Sequence, residues 1–125
     1  MLVGMDLVQI AQHADDLTRA ADFYTVLLER EPLARFDDQG LLFFDLDGIR
    51  LLLDPKAPSG LLYLRVDNVH ETLERLGDLV QVESAPHVIF RHDDDILGPA
   101  GHDEWQAFIR DSEGNLVALV AFQKP

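Results

Sequence analysis

The sequence predicts an α+β fold of two βαβββ modules in one chain, with curled mixed sheets forming a cavity and one helix packed outside each sheet. Three observations predict it. The order strand, helix, three strands is read twice. The stretch PKAPSG at 55–60 breaks all regular pattern between the two readings. The closing stretch Trp105 to Phe122 sets two apolar runs on either side of a turn-forming loop. Antiparallel strands with one helix per module leave one sheet face covered and the other free to line a cavity. The modules span about 5–55 and 60–124, and 125 residues with 47% hydrophobic content suit a single domain over 1–125.

Taken in order, Leu7 to His13 alternates loosely between apolar and polar side chains, as a half-buried strand does. Asp16 stands at a helix N-cap position. Leu17, Ala20, Ala21, Tyr24, Leu27 and Leu28 then recur on one helical face, and Pro32 ends the pattern. Extended segments are expected at 33–37, 41–45 and 49–54, separated by the turn formers Asp38-Gln39-Gly40 and Asp47-Gly48. The second module restarts with a strand at 61–66. Asn68 is its N-cap, with Glu71 placed for a capping box, and Val69, Thr72, Leu73 and Leu76 repeat the helical face up to Gly77. Extended segments follow at 80–83, 88–91, 105–110 and 116–122, the first two being either separate or one bent strand.

Composition excludes several functions. With 23 acidic against 10 basic residues the net charge is -13, which repels a nucleic-acid backbone. Cysteine is absent, so disulfides, thiolate metal sites and cysteine nucleophiles are excluded. No apolar run reaches the roughly 20 residues that span a bilayer, and the opening MLVGMDLVQI lacks the basic region and cleavage site of a signal peptide. The expectation is a cytoplasmic protein with no nucleic-acid or membrane partner. The run Asp93-Asp94-Asp95 reads as a solvated loop. Phosphate-loop and nucleophile-elbow sequences are missing, and Ser59, Ser84 and Ser112 sit in turns without an evident base.

Asp111-Ser112-Glu113-Gly114-Asn115 between two apolar strands resembles the closing hairpin of the vicinal oxygen chelate superfamily, which includes glyoxalases, bleomycin-resistance proteins and extradiol dioxygenases. The usual family turn has Pro and Asp where Ser112 and Glu113 stand. Asp16-Leu17 and Phe23-Tyr24 are similar to the family's opening strand and helix, so the resemblance covers nearly the whole chain. It implies metal ligands on the first and last strands of each module. Those positions fall on Gln9, Leu61, Leu52 and Ala118, of which only Gln9 has a donor atom. No metal of the family type and no cofactor is therefore expected. The segments PHVIF and HDEWQAF resemble a subgroup of small uncharacterised members, and they direct attention to His87, His102 and Trp105.

Among the histidines, His70 reads as helix surface, His92 as a solvated neighbour of the aspartate run, and His13 as a strand end facing either side. If His87 and His102 share a cavity wall, they would bind an acidic group or move a proton, with Glu104 orienting either. A relocated zinc or iron site from His87, His102 and Glu104 is chemically acceptable as well. Alternation places Gln9, Ala11 and His13 on one strand face, Arg50, Leu52 and Asp54 on another, Leu61, Tyr63 and Arg65 on a third, and Leu116, Ala118 and Val120 on a fourth. These residues line a cavity or pack a core. Trp105 and Tyr63 would stack on a planar ligand or fill that core.

The leading expectation is a small-molecule binding protein with ligand-binding candidates Gln9, Leu52, Tyr63, His87, His102, Trp105 and Ala118. The alternatives are a lyase, isomerase or dioxygenase with a relocated metal or acid-base histidines, and a non-catalytic dimerisation module. The resemblance implies a homodimer in each case.

Overall fold

In the computed structural model the described residues are 5–125, and residues 1–4 of the opening stretch lie outside them. Internal contacts group the chain into two compact units, Met1–Gly60 and Leu61–Pro125. The boundary falls where the sequence begins its second strand-helix-strand pattern.

The first unit runs β1 (Gln9–His13), α1 (Leu17–Leu28), β2 (Ala34–Phe36), β3 (Leu41–Leu46) and β4 (Ile49–Asp54). Its sheet has the order β1-β4-β3-β2, with β1 parallel to β4 and the other pairs antiparallel. The helix begins because the Asp16 side chain accepts a hydrogen bond from Arg19 N at 3.0 Å, satisfying one of the unpaired first-turn amides. It ends at Glu29, whose φ of 54° turns the chain out of the helix before Pro32 is reached. Asp47 (φ 53°) and Gly48 (φ 99°) form the two-residue turn that joins β3 to β4 in the register Leu46 to Ile49. Leu42, Phe44, Leu51 and Leu53 are completely buried on one sheet face, and α1 buries Ala20, Phe23, Tyr24 and Leu27. The Tyr24 and Phe44 rings, 6.1 Å apart, mark that face as the one α1 covers. Each such buried side chain contributes about 1.5–3 kcal/mol. Gln12 lies on the same face, and its Oε1 accepts from Gly60 N at 2.8 Å while His13 N donates to Ser59 Oγ. The linker is thereby fastened to the end of β1.

The second unit runs β5 (Leu62–Arg65), α2 (Val69–Leu76), a 3-10 turn (Gly77–Leu79), β6 (Gln81–Arg91), β7 (Asp103–Arg110) and β8 (Leu116–Gln123). Its sheet order, β5-β8-β7-β6, repeats the first, again with one parallel pair, β5 and β8. Asn68 caps α2 by accepting from Glu71 N, and Gly77 closes it at φ 52°. Of the two readings left open for 80–91, one strand is the outcome. It is bent by register shifts between Val82 and Ser84, Ser84 and His87, and Val88 and Phe90. Leu62, Ala107, Ile109, Val117, Leu119 and Ala121 are buried on the face that α2 covers with Val69 and Leu76. The closing turn is set by Asp111, whose carboxylate accepts from Glu113 N, Asn115 N and Asn115 Nδ2 at 2.7–2.9 Å. No helix among the described residues is long and apolar enough to cross a membrane.

Candidate functional site

Side chains alternate along a strand, so the face of the second sheet opposite α2 is fixed by the register. Three rows cross it. Tyr63, Ala118 and Phe108 stand side by side on β5, β8 and β7, followed by Arg65, Val120 and Gln106, and then by Phe122 and Glu104. The Tyr63 and Phe108 rings meet edge to face at 6.2 Å, closing over Ala118 between them and accounting for its complete burial. Tyr63 is itself 56% exposed. This open face is thus aromatic and apolar along one row and polar along the next.

A part-buried polar chain supports the lower end. His92 Nε2 lies 2.8 Å from Glu104 Oε1, and Gln106 Nε2 donates to Glu104 Oε2 at 2.7 Å. An ionised carboxylate only accepts, so His92 Nε2 carries the hydrogen of this contact. The His92 ring is 2% exposed and packs against Phe90 and Phe122 at 4.6 and 5.5 Å. Its backbone is clamped by His92 N donating to His102 O and by Gly101 N donating to His92 O. Gly98 then crosses the ring so closely that an added Cβ would lie 2.9 Å from His92 Nε2 and 2.6 Å from Phe122 Cε1. The expectation of a solvated His92 is corrected here. Charge density in Asp93-Asp94-Asp95 indicates an exposed loop, which it is, but the chain turns back at Gly98 and buries the residue just before it.

No family model matches the sequence and no curated protein matches it. Solved structures do. Lactoylglutathione lyase from Agrobacterium tumefaciens shares 26% identity and a TM-score of 0.68, covering 95% of each chain. A glyoxalase/bleomycin resistance protein/dioxygenase from Nocardioides shares 16% identity and a TM-score of 0.66, covering 98% of this chain and 87% of that one. A glyoxalase/bleomycin resistance protein from Albidiferax ferrireducens T118 shares 16% identity and a TM-score of 0.63, covering 92% and 98%. The fold is that of the vicinal oxygen chelate superfamily.

The four strand positions at which metal-dependent members of the vicinal oxygen chelate superfamily place their ligands do not suit a metal in this chain. Gln9 Oε1 accepts from Arg50 Nε at 3.0 Å. Leu52 and Ala118 offer no donor atom, and Ala118 lies beneath the Tyr63–Phe108 pair. Leu61, just outside β5, offers none either. Among the described residues no group of three His, Cys, Asp or Glu side chains is placed to hold a metal ion.

The relocated set is also not assembled. Glu104 is engaged by His92 and Gln106. His87 sits beside Gln106 on exposed β6 with Nδ1 on Ala85 O, whereas His102 precedes β7 with Nδ1 on Ala100 O. About four residues of strand, roughly 13 Å, separate their levels along β7. Trp105 is on the opposite face from Glu104 and Gln106, edge-on to His70 of α2 at 5.0 Å. Of the candidates in this unit, Tyr63 and Ala118 are neighbours on the open face, with His87 at its β6 margin. In the first unit Gln9 and Leu52 share the face away from α1, where Arg50 lies over the Phe43 ring at 5.6 Å. Another groove, of about 500 Å³, runs past Asp78, Gln81, Arg110 and Gly114, but its cation, Arg110, is engaged by Glu83 and Gly114 O, and Asp111 is engaged in its own turn.

Proposed function

We propose that this chain is a small-molecule binding protein that holds its ligand against the open face of the second sheet without a metal of the superfamily type. The observation that carries the reading is the Tyr63–Phe108 pair closed over Ala118: a ligand position of the fold has become an apolar floor with an exposed aromatic wall. Apolar sites with a few fixed polar groups are the usual form of small-molecule sites, and Gln106, held by Glu104, supplies such a group. The neighbours described as bleomycin resistance proteins support binding as a role, whereas the lactoylglutathione lyase supports catalysis. Binding is favoured because both Glu104 oxygens already accept hydrogen bonds and its partner His92 is buried behind Gly98. A ligand on this face could not reach the imidazoles of His87 and His102 together, since their levels lie about 13 Å apart.

A panel of planar apolar compounds tests the reading by thermal unfolding. A saturating binder, at about 100 times its Kd, stabilises the folded chain by about 2.7 kcal/mol. Tyr63→Ala is expected to remove most of the resulting rise in unfolding temperature. A panel without effect, or a rise unchanged in Tyr63→Ala, would overturn the reading.

A further inference from the structure

Beside Tyr63 on the open face, two residues along β5, lies Arg65, with its guanidinium carbon 5.1 Å from the centroid of the Phe122 ring. Five other arginines of this acid-rich chain have acceptors for their side chains. Arg30 donates to Asp45 O, Arg35 to Asp37 and Thr18, Arg50 to Gln9, Arg91 to Asp103, and Arg110 to Glu83 and Gly114 O. The Arg65 side chain makes no hydrogen bond or ion pair among the described residues, although the chain has 23 carboxylates to 10 cations. Glu104, beside Phe122 on the same face, has both carboxylate oxygens engaged by His92 and Gln106.

The cation–π contact with Phe122 places the guanidinium without using its hydrogen-bond donors, so its five N–H groups remain for a ligand. Between this cation and the aromatic pair lies Val120, buried and flat, one row below Ala118. We propose that the ligand of this face is an organic anion with a planar apolar body: the body lies over Val120 against Tyr63 and Phe108, and its carboxylate, or a sulfonate or phosphate in the same place, is gripped by Arg65. This inference rests on the binding role proposed above and adds the charge of the ligand to it. A net charge of -13 repels anions at long range, so recognition must come from this local cation.

The test compares two probes of nearly the same shape, 2-naphthoate and neutral 2-naphthamide, titrated into the purified full chain and followed by amide chemical shifts. The expected result is tighter binding of the naphthoate. In Arg65→Ala its Kd should rise about tenfold or more, as for loss of a hydrogen bond to a charged group, while the naphthamide Kd stays within about twofold. Arg65→Gln, which keeps most of the stem, should show the same split, and Arg65→Lys should recover part of the loss. Equal binding of both probes that is insensitive to all three Arg65 substitutions would overturn the anion inference alone, leaving Arg65 as a solvated, stacked cation and the binding face intact. Saturable binding of neither probe would overturn the anion inference together with the binding role.

Discussion

His92 shows how one buried residue ties a loop to a sheet. Its ring fills the space between Phe90 and Phe122, its Nε2 satisfies Glu104, and Gly98 leaves no space above it. His92→Ala leaves a cavity and a part-buried carboxylate short of one donor, so urea unfolding should show a loss of about 2–4 kcal/mol. Glu104→Gln keeps the shape and an acceptor, and about 1 kcal/mol is expected by the same measurement. Gly98→Ala forces a methyl group into the Phe122 and His92 rings, and should cost about 1–3 kcal/mol. Little of this was legible from sequence. Hydropathy and charge describe a residue's near neighbours along the chain, and His92 is buried by Phe122 and Gly98, which reach it through chain reversal. The isolated Gly98 within an apolar-acidic loop was the available sign of a close approach.

Among the elements, turn and cap chemistry made the strands and helices readable. Asp16 and Asn68 were named as N-caps from their places before apolar helical patterns, and both side chains accept from the amide three residues on. Asp16→Ala and Asn68→Ala should each lower stability by about 1 kcal/mol in denaturant unfolding. The Asp47-Gly48 turn and the five-residue loop after Arg110 lie where their composition put them, because positive φ and Asx bonding are local requirements. Asp111→Ala removes acceptors from two backbone amides, and amide hydrogen exchange should speed up across the ends of β7 and β8. β6 was less legible. Its three register shifts interrupt the alternation that identifies a strand, so its ends read as separate segments until pairing with β7 joined them. The alternation of β5, β7 and β8 is unbroken. It was enough to put Tyr63 with Arg65 and Ala118 with Val120, and the pairing of β5 with β8 joins the two sets on one face, whereas Trp105, singled out by the HDEWQAF resemblance and its ring, belongs to the α2 side.

For the molecule as a whole, the duplicated pattern was the strongest signal in the sequence, and it reappears as two sheets of the same strand order. The fold is shared with solved glyoxalase and bleomycin resistance proteins, while the chemistry at the inherited positions is not that of a metal centre. Protein purified without chelator or metal-charged resin should contain well under one divalent ion per chain by elemental analysis, and EDTA should leave its thermal transition unchanged. One tightly held ion per chain would show that donors other than Gln9, Leu52, Leu61 and Ala118 had been recruited. The most direct test of the binding face is a backbone amide shift map of the isotope-labelled chain titrated with 2-naphthoate. The account predicts saturable shifts centred on Tyr63, Arg65, Phe108, Ala118 and Val120, with α2 unmoved. Saturable shifts centred on α2 and Trp105, or on the groove near Asp78 and Arg110, would contradict it.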